Sequence, residues 1–233
     1  MAWDGNNISL NKDAPRNYMY KNTVYLLDEI SDASCAYLIG DLHEYVTNRQ
    51  YFDTPLNFII NSPGGDVYTM MTILGLMNIA KINGITIHTF VMGIAASAAS
   101  VIAIQGDVRK ITKVSRHFVH FGTTWSITER HSEIQKIYEQ TKDYAERIDN
   151  LYLEACPGLT PEKLRELQLD ERGYLNAEQC IKYGLCDSII EDDLRYMKHI
   201  SEKAEGFESL FEDYQKGNYK SLLKKVEKLA NDK

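Results

Sequence analysis

The spacing of apolar residues divides the middle of the chain into alternating strands and helices. Runs of β-branched and apolar residues predict strands at residues 23–27, 55–61 and 85–91. Between them, residues 32–46 and 67–82 repeat apolar positions at the three- and four-residue spacing of a helix. Strand–helix units with short turns favour parallel strands joined by crossover helices. The pattern therefore predicts an α/β fold.

A seven-residue repeat further along predicts one unusually long helix. Ile134, Thr141, Ile148 and Ala155 recur at this spacing with apolar residues between them, and Pro157-Gly158 ends the run. About 28 helical residues would span about 40 Å, which exceeds the diameter of a small domain. We expect part of this helix to project and to pack on a partner. The alternative is a long helix that folds back on its own chain.

A nucleophile is predicted where the third strand ends, in the sequence M-G-I-A-A-S-A-A-S at residues 92–100. A strand, a glycine and a helix of small residues place Ser97 in the first helical turn. Unpaired N–H groups and the positive end of the helix dipole lie there. This arrangement suits a serine nucleophile beside an oxyanion hole. The alternative is a buried Ala/Ser helix packed tightly on the sheet.

Two further segments could complete such a site. A strand runs into the turn N-S-P-G-G-D at residues 61–66, whose paired glycines permit positive φ and close approach of a substrate backbone. Residues 116–121 form a short strand that carries His117 and His120. Because side chains alternate along a strand, the two histidines lie on opposite faces. At most one of them can therefore face Ser97.

In this order and spacing, the three segments resemble the ClpP family of serine peptidases, the proteolytic subunit of Clp protease. That family carries an N-S-P-G-G turn, a G-x-A-A-S motif and a strand with a histidine in the same succession. The resemblance covers residues 24–190 and closes with Y-L-N-A at 174–177 and Y-G-L-C-D-S at 183–188. It implies the spiral of strand–helix repeats shared by ClpP and crotonase enzymes. The long helix would be the projecting handle between two stacked rings.

Carried over residue by residue, the resemblance makes Ser97 the nucleophile and His120 the general base. The oxyanion donors become the backbone N–H groups of Gly65 and Ala98. Ala98 stands where the family usually has methionine, which leaves a main-chain donor unchanged. A substrate peptide would lie extended beside Gly64 and Gly65 and add a strand through backbone hydrogen bonds.

Serine peptidases of this family complete a catalytic triad of serine, histidine and aspartate, and this sequence departs from the family at the aspartate. Counted back from Tyr174, the family's aspartate falls on Arg172, whose charge would oppose an imidazolium ion. Asp170 and Glu171 are adjacent, and a shift of one or two residues in this loop would bring Asp170 to His120. Asp170 is therefore the predicted third member. The alternatives are a Ser–His dyad and an inactive subunit.

Composition adds boundaries and excludes some partners. With 233 residues and 44% apolar content, the chain can form one sizeable core, and we divide it into a flexible arm (1–22), a peptidase domain (23–190) and a charged helical extension (191–233). The net charge of −7 disfavours nucleic acid, and neither a membrane span nor a secretory signal is predicted. The four cysteines lack metal-ligand spacing, which favours reduced thiols in a cytoplasmic protein without metal or cofactor.

The leading functional hypothesis is a serine endopeptidase that cleaves extended polypeptides inside a homo-oligomeric chamber of stacked rings. An ATP-dependent AAA+ unfoldase would supply folded substrates. A crotonase-type acyl-CoA enzyme is the alternative within the same architecture, although it needs no nucleophilic serine at this position. An inactive ring subunit is the non-enzymatic alternative, suggested by Arg172. The arm and the extension also leave open a viral or plasmid-type variant, including one that processes a capsid precursor.

Overall fold

The computed structural model describes residues 16–120, 131–170 and 173–201, together with Gly217, Asn218 and Lys224. Strands and helices alternate along most of these ranges. The strands are β1 (Asn17–Tyr20), β2 (Thr23–Leu26), β3 (Leu56–Ser62), β4 (Ile87–Ala96), β5 (Val108–Ile111), β6 (Arg116–Phe118), β7 (Tyr174–Leu175) and β8 (Ser188–Ile189). The helices are α1 (Asp32–Thr47), α2 (Val67–Ile82), α3 (Ala98–Ala103), α4 (His131–Ala155), α5 (Pro161–Leu169), α6 (Ala177–Tyr183) and α7 (Ile190–Ser201).

Parallel pairing dominates the sheet, as the strand–helix order predicted. The main path runs β1-β2-β3-β4-β5-β8, and every pair along it from β2 onward is parallel. A second branch leaves β4, where β6 pairs parallel with β4 and antiparallel with the short β7. The predicted α/β class is confirmed, because the helices between these strands serve as crossover connections.

Strand β4 is longer than predicted and changes its neighbour partway. The sequence pattern indicated a strand over residues 85–91, but the strand continues to Ala96. Up to Val91 it pairs with β5, and from Ile94 onward it pairs with β6. The small residues at its end lack the alternation of a half-buried strand, which explains the shorter prediction. The change of neighbour brings the end of β4 beside the end of β6.

Capping residues set several helix ends. The Asp66 side chain accepts the Thr69 N–H at 2.7 Å and caps α2. The Thr160 hydroxyl accepts the Lys163 N–H at 3.2 Å and caps α5. Helix α6 ends at Gly184. Caps depend on residues within one turn of the helix end, so a single sequence reveals them.

The range predicted as a flexible arm, residues 1–22, is too long, because it includes strand β1. Strand β1 pairs antiparallel with β2 in a tight hairpin. Asn17 is fully buried: its side-chain amide donates to the Glu29 carbonyl at 2.8 Å and its oxygen accepts the Leu27 N–H at 2.9 Å. The polar sequence concealed this strand because a buried asparagine, rather than an apolar pattern, anchors it. Residues 1–15 lie outside the described part.

The acidic run at residues 191–193 does not interrupt the fold. It lies in the first turn of α7, where negative charge favours the helix dipole. The Asp193 carboxylate accepts hydrogen bonds from Lys110 at 2.8 Å and from Ser188 at 2.7 Å. The predicted division at residue 190 therefore falls at the start of a helix that is attached to the sheet. Most of residues 202–233 lie outside the described part, so a separate extension there stays a prediction.

Helix α4 is the longest helix in the described ranges. Its 25 residues span about 37 Å. Near its end, Tyr152 is buried, and Ile148 and Leu151 pack against the core. The Arg109 guanidinium donates to the Ala155 carbonyl at 2.6 Å and so binds the end of the helix to β5. The C-terminal part of α4 is thus fixed to the body, whereas its side chains before residue 142 lie outside the described part.

Three further observations concern the cysteines, the apolar character of the helices and the potential metal ligands. The four cysteines are all buried free thiols. Among the helices of the described ranges, none combines the length and apolar character that crossing a membrane requires. The same ranges hold no cluster of three or more His, Cys, Asp or Glu side chains suited to a metal ion.

Candidate active site

Ser97 occupies a strained turn between β4 and α3. Its backbone has φ 52° and ψ −126°, a conformation that residues with a side chain rarely adopt. Its N–H donates to the Phe118 carbonyl at 3.0 Å, while its carbonyl accepts from the first turn of α3. The residues of α3 are all buried, but Ser97 is only half-buried, and its hydroxyl does not cap the helix. The strained strand-to-helix turn thus presents Oγ at the helix N-terminus.

The Pro-Gly-Gly turn lies directly against Ser97. A Cβ atom on Gly64 would stand 2.7 Å from Ser97 Cβ and 2.9 Å from the Ala98 nitrogen. Gly64 also has a φ of 91°, which disfavours any residue with a side chain. The turn is held from its other side, where Ile30 N–H donates to the Gly64 carbonyl at 2.8 Å. Two distant motifs of the sequence therefore meet in direct contact.

Two backbone N–H groups beside Ser97 are available to a ligand. Neither the Gly65 N–H nor the Ala98 N–H donates to another residue within the described part of the chain. Ala98 begins α3, and the first N–H groups of a helix have no acceptor inside it. Gly65 forms a parallel bridge with Ile30, but its hydrogen bonds join Ile30 to the Gly64 carbonyl and to the Asp66 N–H. The Gly65 N–H takes no part in them. These donors are suited to stabilising an oxyanion at the Ser97 turn.

His120 lies at the same edge of the sheet as Ser97. Ala96, the last residue of β4, pairs with Phe118, the last residue of β6. Because these two strands are parallel, the residues that follow them leave the sheet at one edge. His120 is half-buried there, and its ring stacks on the Phe118 ring with centroids 5.1 Å apart and planes 16° apart. The structure thus places the predicted base and the predicted nucleophile after neighbouring strands.

His117 faces the core instead, as strand alternation predicted. Its Nδ1 lies 3.0 Å from Ser100 Oγ, which accepts a hydrogen bond from the Tyr152 hydroxyl at 2.9 Å. Its Nε2 lies 3.6 Å from Cys186 Sγ. Burial, with a smaller contribution from the positive charge of Arg109, lowers the pKa of His117 to about 3. This imidazole therefore stays neutral and belongs to a buried polar network.

Asp170 ends α5 and begins the loop that returns to β7. Its carbonyl accepts the Gly173 N–H at 2.9 Å, and a Cβ on Gly173 would lie 3.1 Å from the Cβ and Cγ of Asp170. A side chain at residue 173 would therefore displace Asp170. Strand β7 sets Tyr174 opposite Phe118, so this loop lies close to the end of β6. Asp170 itself is exposed, and residues 171–172 lie outside the described part.

Sequence reasoning missed two aromatic residues at this edge. The rings of Phe118 and Tyr174 stack with centroids 4.6 Å apart and planes 23° apart. Phe118 could have been found, because it precedes His120 by two residues and strand alternation puts both on one face. Tyr174 could not, because its place depends on the register between β6 and a strand of two residues.

Comparison with known proteins assigns the family. The family model described as Clp protease matches residues 10–193. The chain belongs to this family. The "ATP-dependent Clp protease proteolytic subunit 4" of Rhodococcus jostii is 30% identical over 175 residues, which cover 72% of this chain and 83% of the relative. The proteolytic subunit of Leuconostoc citreum is 24% identical over 182 residues, covering 76% and 87% of the two chains. Proteolytic subunit 1 of Corynebacterium glutamicum is 26% identical over 170 residues, covering 72% and 78%.

Membership of the Clp protease family confirms the resemblance found in the three sequence motifs. The protein is a serine-type endopeptidase, a hydrolase of the Clp proteolytic-subunit kind. This result decides between the two enzyme classes that share the spiral architecture, in favour of the peptidase over the acyl-CoA enzyme.

Proposed function

We propose that this Clp-family endopeptidase cleaves peptide bonds with Ser97 as nucleophile, His120 as general base and Asp170 as the carboxylate that orients the base. The N–H groups of Gly65 and Ala98 form the oxyanion hole. The observation that carries the proposal is the strained Ser97 turn in contact with the glycine turn, with two backbone donors available beside it. This geometry supports a nucleophile beside an oxyanion hole rather than a helix that only packs on the sheet.

The chemistry follows from these positions. His120 accepts the Ser97 Oγ proton while Oγ attacks the carbonyl carbon of the scissile bond, and the carbonyl oxygen becomes an oxyanion held by two N–H donors. The imidazolium then protonates the leaving amine, which departs and leaves an acyl-enzyme. Water attacks the ester with His120 again as the base, and collapse of the second oxyanion releases the acid and restores Ser97.

The substrate is an extended polypeptide that lies beside Gly64 and Gly65. Because these two residues lack side chains, the turn that follows β3 lies directly against the Ser97 turn and Ile30, so a peptide beside this turn also lies beside the nucleophile. Backbone hydrogen bonds would add the peptide as a further strand and would bring its carbonyl to Ser97. This mode favours unfolded segments, because a folded domain cannot present an extended backbone.

Partners follow from the family. Clp-family peptidases form stacked ring oligomers and work with AAA+ unfoldases, and the relatives named above are described as ATP-dependent. For this chain we infer a homo-oligomeric chamber of stacked rings, with α4 at the contact between rings and an unfoldase for folded substrates. Four buried free thiols support a reducing, cytoplasmic location.

Covalent labelling tests the nucleophile directly. A peptidyl phosphonate that reacts with activated serines should form one adduct per chain, which peptide mapping should place on Ser97. Ser100 is the internal control, because it lies in the same segment but is fully buried and hydrogen-bonded to His117 and Tyr152. An adduct on another serine, or none on the assembled protein, would contradict the proposed nucleophile.

Assembly should depend on the seven-residue stripe of α4. We expect Ile137→Glu to convert the oligomer into smaller species, because a carboxylate buried without a partner at an apolar contact costs several kcal/mol. Ile148 belongs to the same stripe but packs against its own core, so a charge there would test folding instead. Lys142→Glu, at an exposed position, is the matched control. Sedimentation velocity measures the result, and an unchanged large particle for Ile137→Glu or a monomeric wild type would refute the inference.

A further inference from the structure

We propose that Phe118 is a positioning residue for the general base: its ring face holds the His120 imidazole and stabilises the protonated form of that ring. Tyr174 supports Phe118 through a second stacking contact. The inference rests on the proposed role of His120 and adds a source of charge stabilisation to it. Two ring contacts carry it, because Phe118 stacks with His120 and also with Tyr174.

The stack follows from strand geometry. Phe118 and His120 are two residues apart, so their side chains leave the backbone on the same side, opposite to His117. Tyr174 is the antiparallel partner of Phe118, and directly opposed residues of such a pair contact each other on one face. The planes of Phe118 and His120 differ by 16°, and those of Phe118 and Tyr174 differ by 23°. The imidazole therefore meets the face of the Phe118 ring rather than its edge.

Phe118 is also attached to the nucleophile. Its carbonyl accepts the Ser97 N–H at 3.0 Å, which fixes the strained turn to β6. One residue thus contacts the proposed nucleophile through its backbone and the proposed base through its ring. A change in the direction of the Phe118 ring would move the imidazole relative to Ser97.

The face of a benzene ring carries negative potential and attracts a cation placed over it. The imidazole of His120 is neutral before reaction and becomes positive when it takes the Ser97 proton. The attraction to Phe118 therefore strengthens on the way to the transition state, which is the condition for an interaction that raises kcat.

Stabilisation by Phe118 is useful because the proposed carboxylate partner of His120 lies in solvent. The proposed orienting carboxylate, Asp170, is exposed to solvent. Water weakens the interaction between an exposed carboxylate and a neighbouring cation. The attraction of the Phe118 ring face acts over the short distance of a stacked contact, with centroids 5.1 Å apart.

Removing the ring face should lower kcat and leave KM unchanged. For assembled Phe118→Leu we expect kcat for a fluorogenic peptide to fall by about tenfold. Phe118→Tyr and Phe118→Trp keep an aromatic face and should retain most of the wild-type kcat. Phe90→Leu is the matched control: Phe90 meets His88 edge-on, with centroids 6.3 Å and planes 82° apart, away from the site, so kcat should not change.

A fluorinated series separates charge stabilisation from packing. Mono-, di- and trifluorophenylalanine at residue 118 keep the ring's shape while they reduce the negative potential of its face. We expect kcat to decrease stepwise along this series at constant KM. If the ring only fills space, kcat will be the same throughout, and that result overturns the inference. The series also decides the question if Phe118→Leu fails to assemble.

The failure of this inference can be told apart from the failure of the proposed function. A constant kcat across the fluorinated series, combined with an inactive Ser97→Ala protein, removes the role of Phe118 and leaves the Ser–His mechanism in place. Wild-type turnover by Ser97→Ala would instead remove the mechanism on which the inference rests, and the inference would fall with it.

Discussion

Ser97→Ala should lower kcat for peptide hydrolysis by about 10⁴-fold or more, because it removes the oxygen that attacks the substrate. The oxyanion donors are backbone groups and remain, so a small residual rate over water is expected. Assembly should be unaffected, since alanine matches the small residues of α3 around it. Hydrolysis of a fluorogenic peptide measures activity, and sedimentation velocity confirms that the particle is intact.

His120→Ala should produce a comparable loss, because an unactivated serine hydroxyl is a poor nucleophile. The double variant Ser97→Ala with His120→Ala should be no worse than either single variant if the two side chains act as one unit. His43→Ala is the matched control, since this histidine is exposed on α1. A double variant far below both singles, or wild-type turnover by Ser97→Ala, would count against the assignment.

Asp170→Asn should lower kcat by a large factor, because the orienting carboxylate sets the tautomer of His120. The substitution is isosteric, so the contact with Gly173 is kept. Glu171→Gln, the same kind of change one residue later, is the matched control and should alter kcat little. Steady-state kinetics on the assembled particle give the comparison.

Arg172→Asp separates the two versions of this site. The variant restores the family's residue at the counted position, and it should bring no large gain if Asp170 already serves His120. If Asp170→Asn is silent and Arg172→Asp raises activity, the wild-type chain works without a third member. The dyad named as an alternative in the sequence analysis would then be correct.

Much of this protein could be predicted from its sequence because the relevant signals are local. Apolar spacing predicted the parallel α/β arrangement, and the caps Asp66 and Thr160 lie within one turn of the N–H groups that they bind. Three short motifs, in one order, indicated the family that the comparison then confirmed. The opposite placement of His117 and His120 followed from alternation alone. Each of these inferences needs only residues that are neighbours along the chain.

Only the tertiary structure decided what depends on pairing across the chain. Asn17 anchors a strand in a segment expected to be a flexible arm. Strand β4 exchanges one neighbour for another, which brings the end of β4 beside β6. That exchange, the contact of Gly64 with Ser97 and the stack of Tyr174 on Phe118 all join residues far apart in sequence. The register between paired strands sets such contacts, and the residues next to a side chain in the sequence do not determine that register.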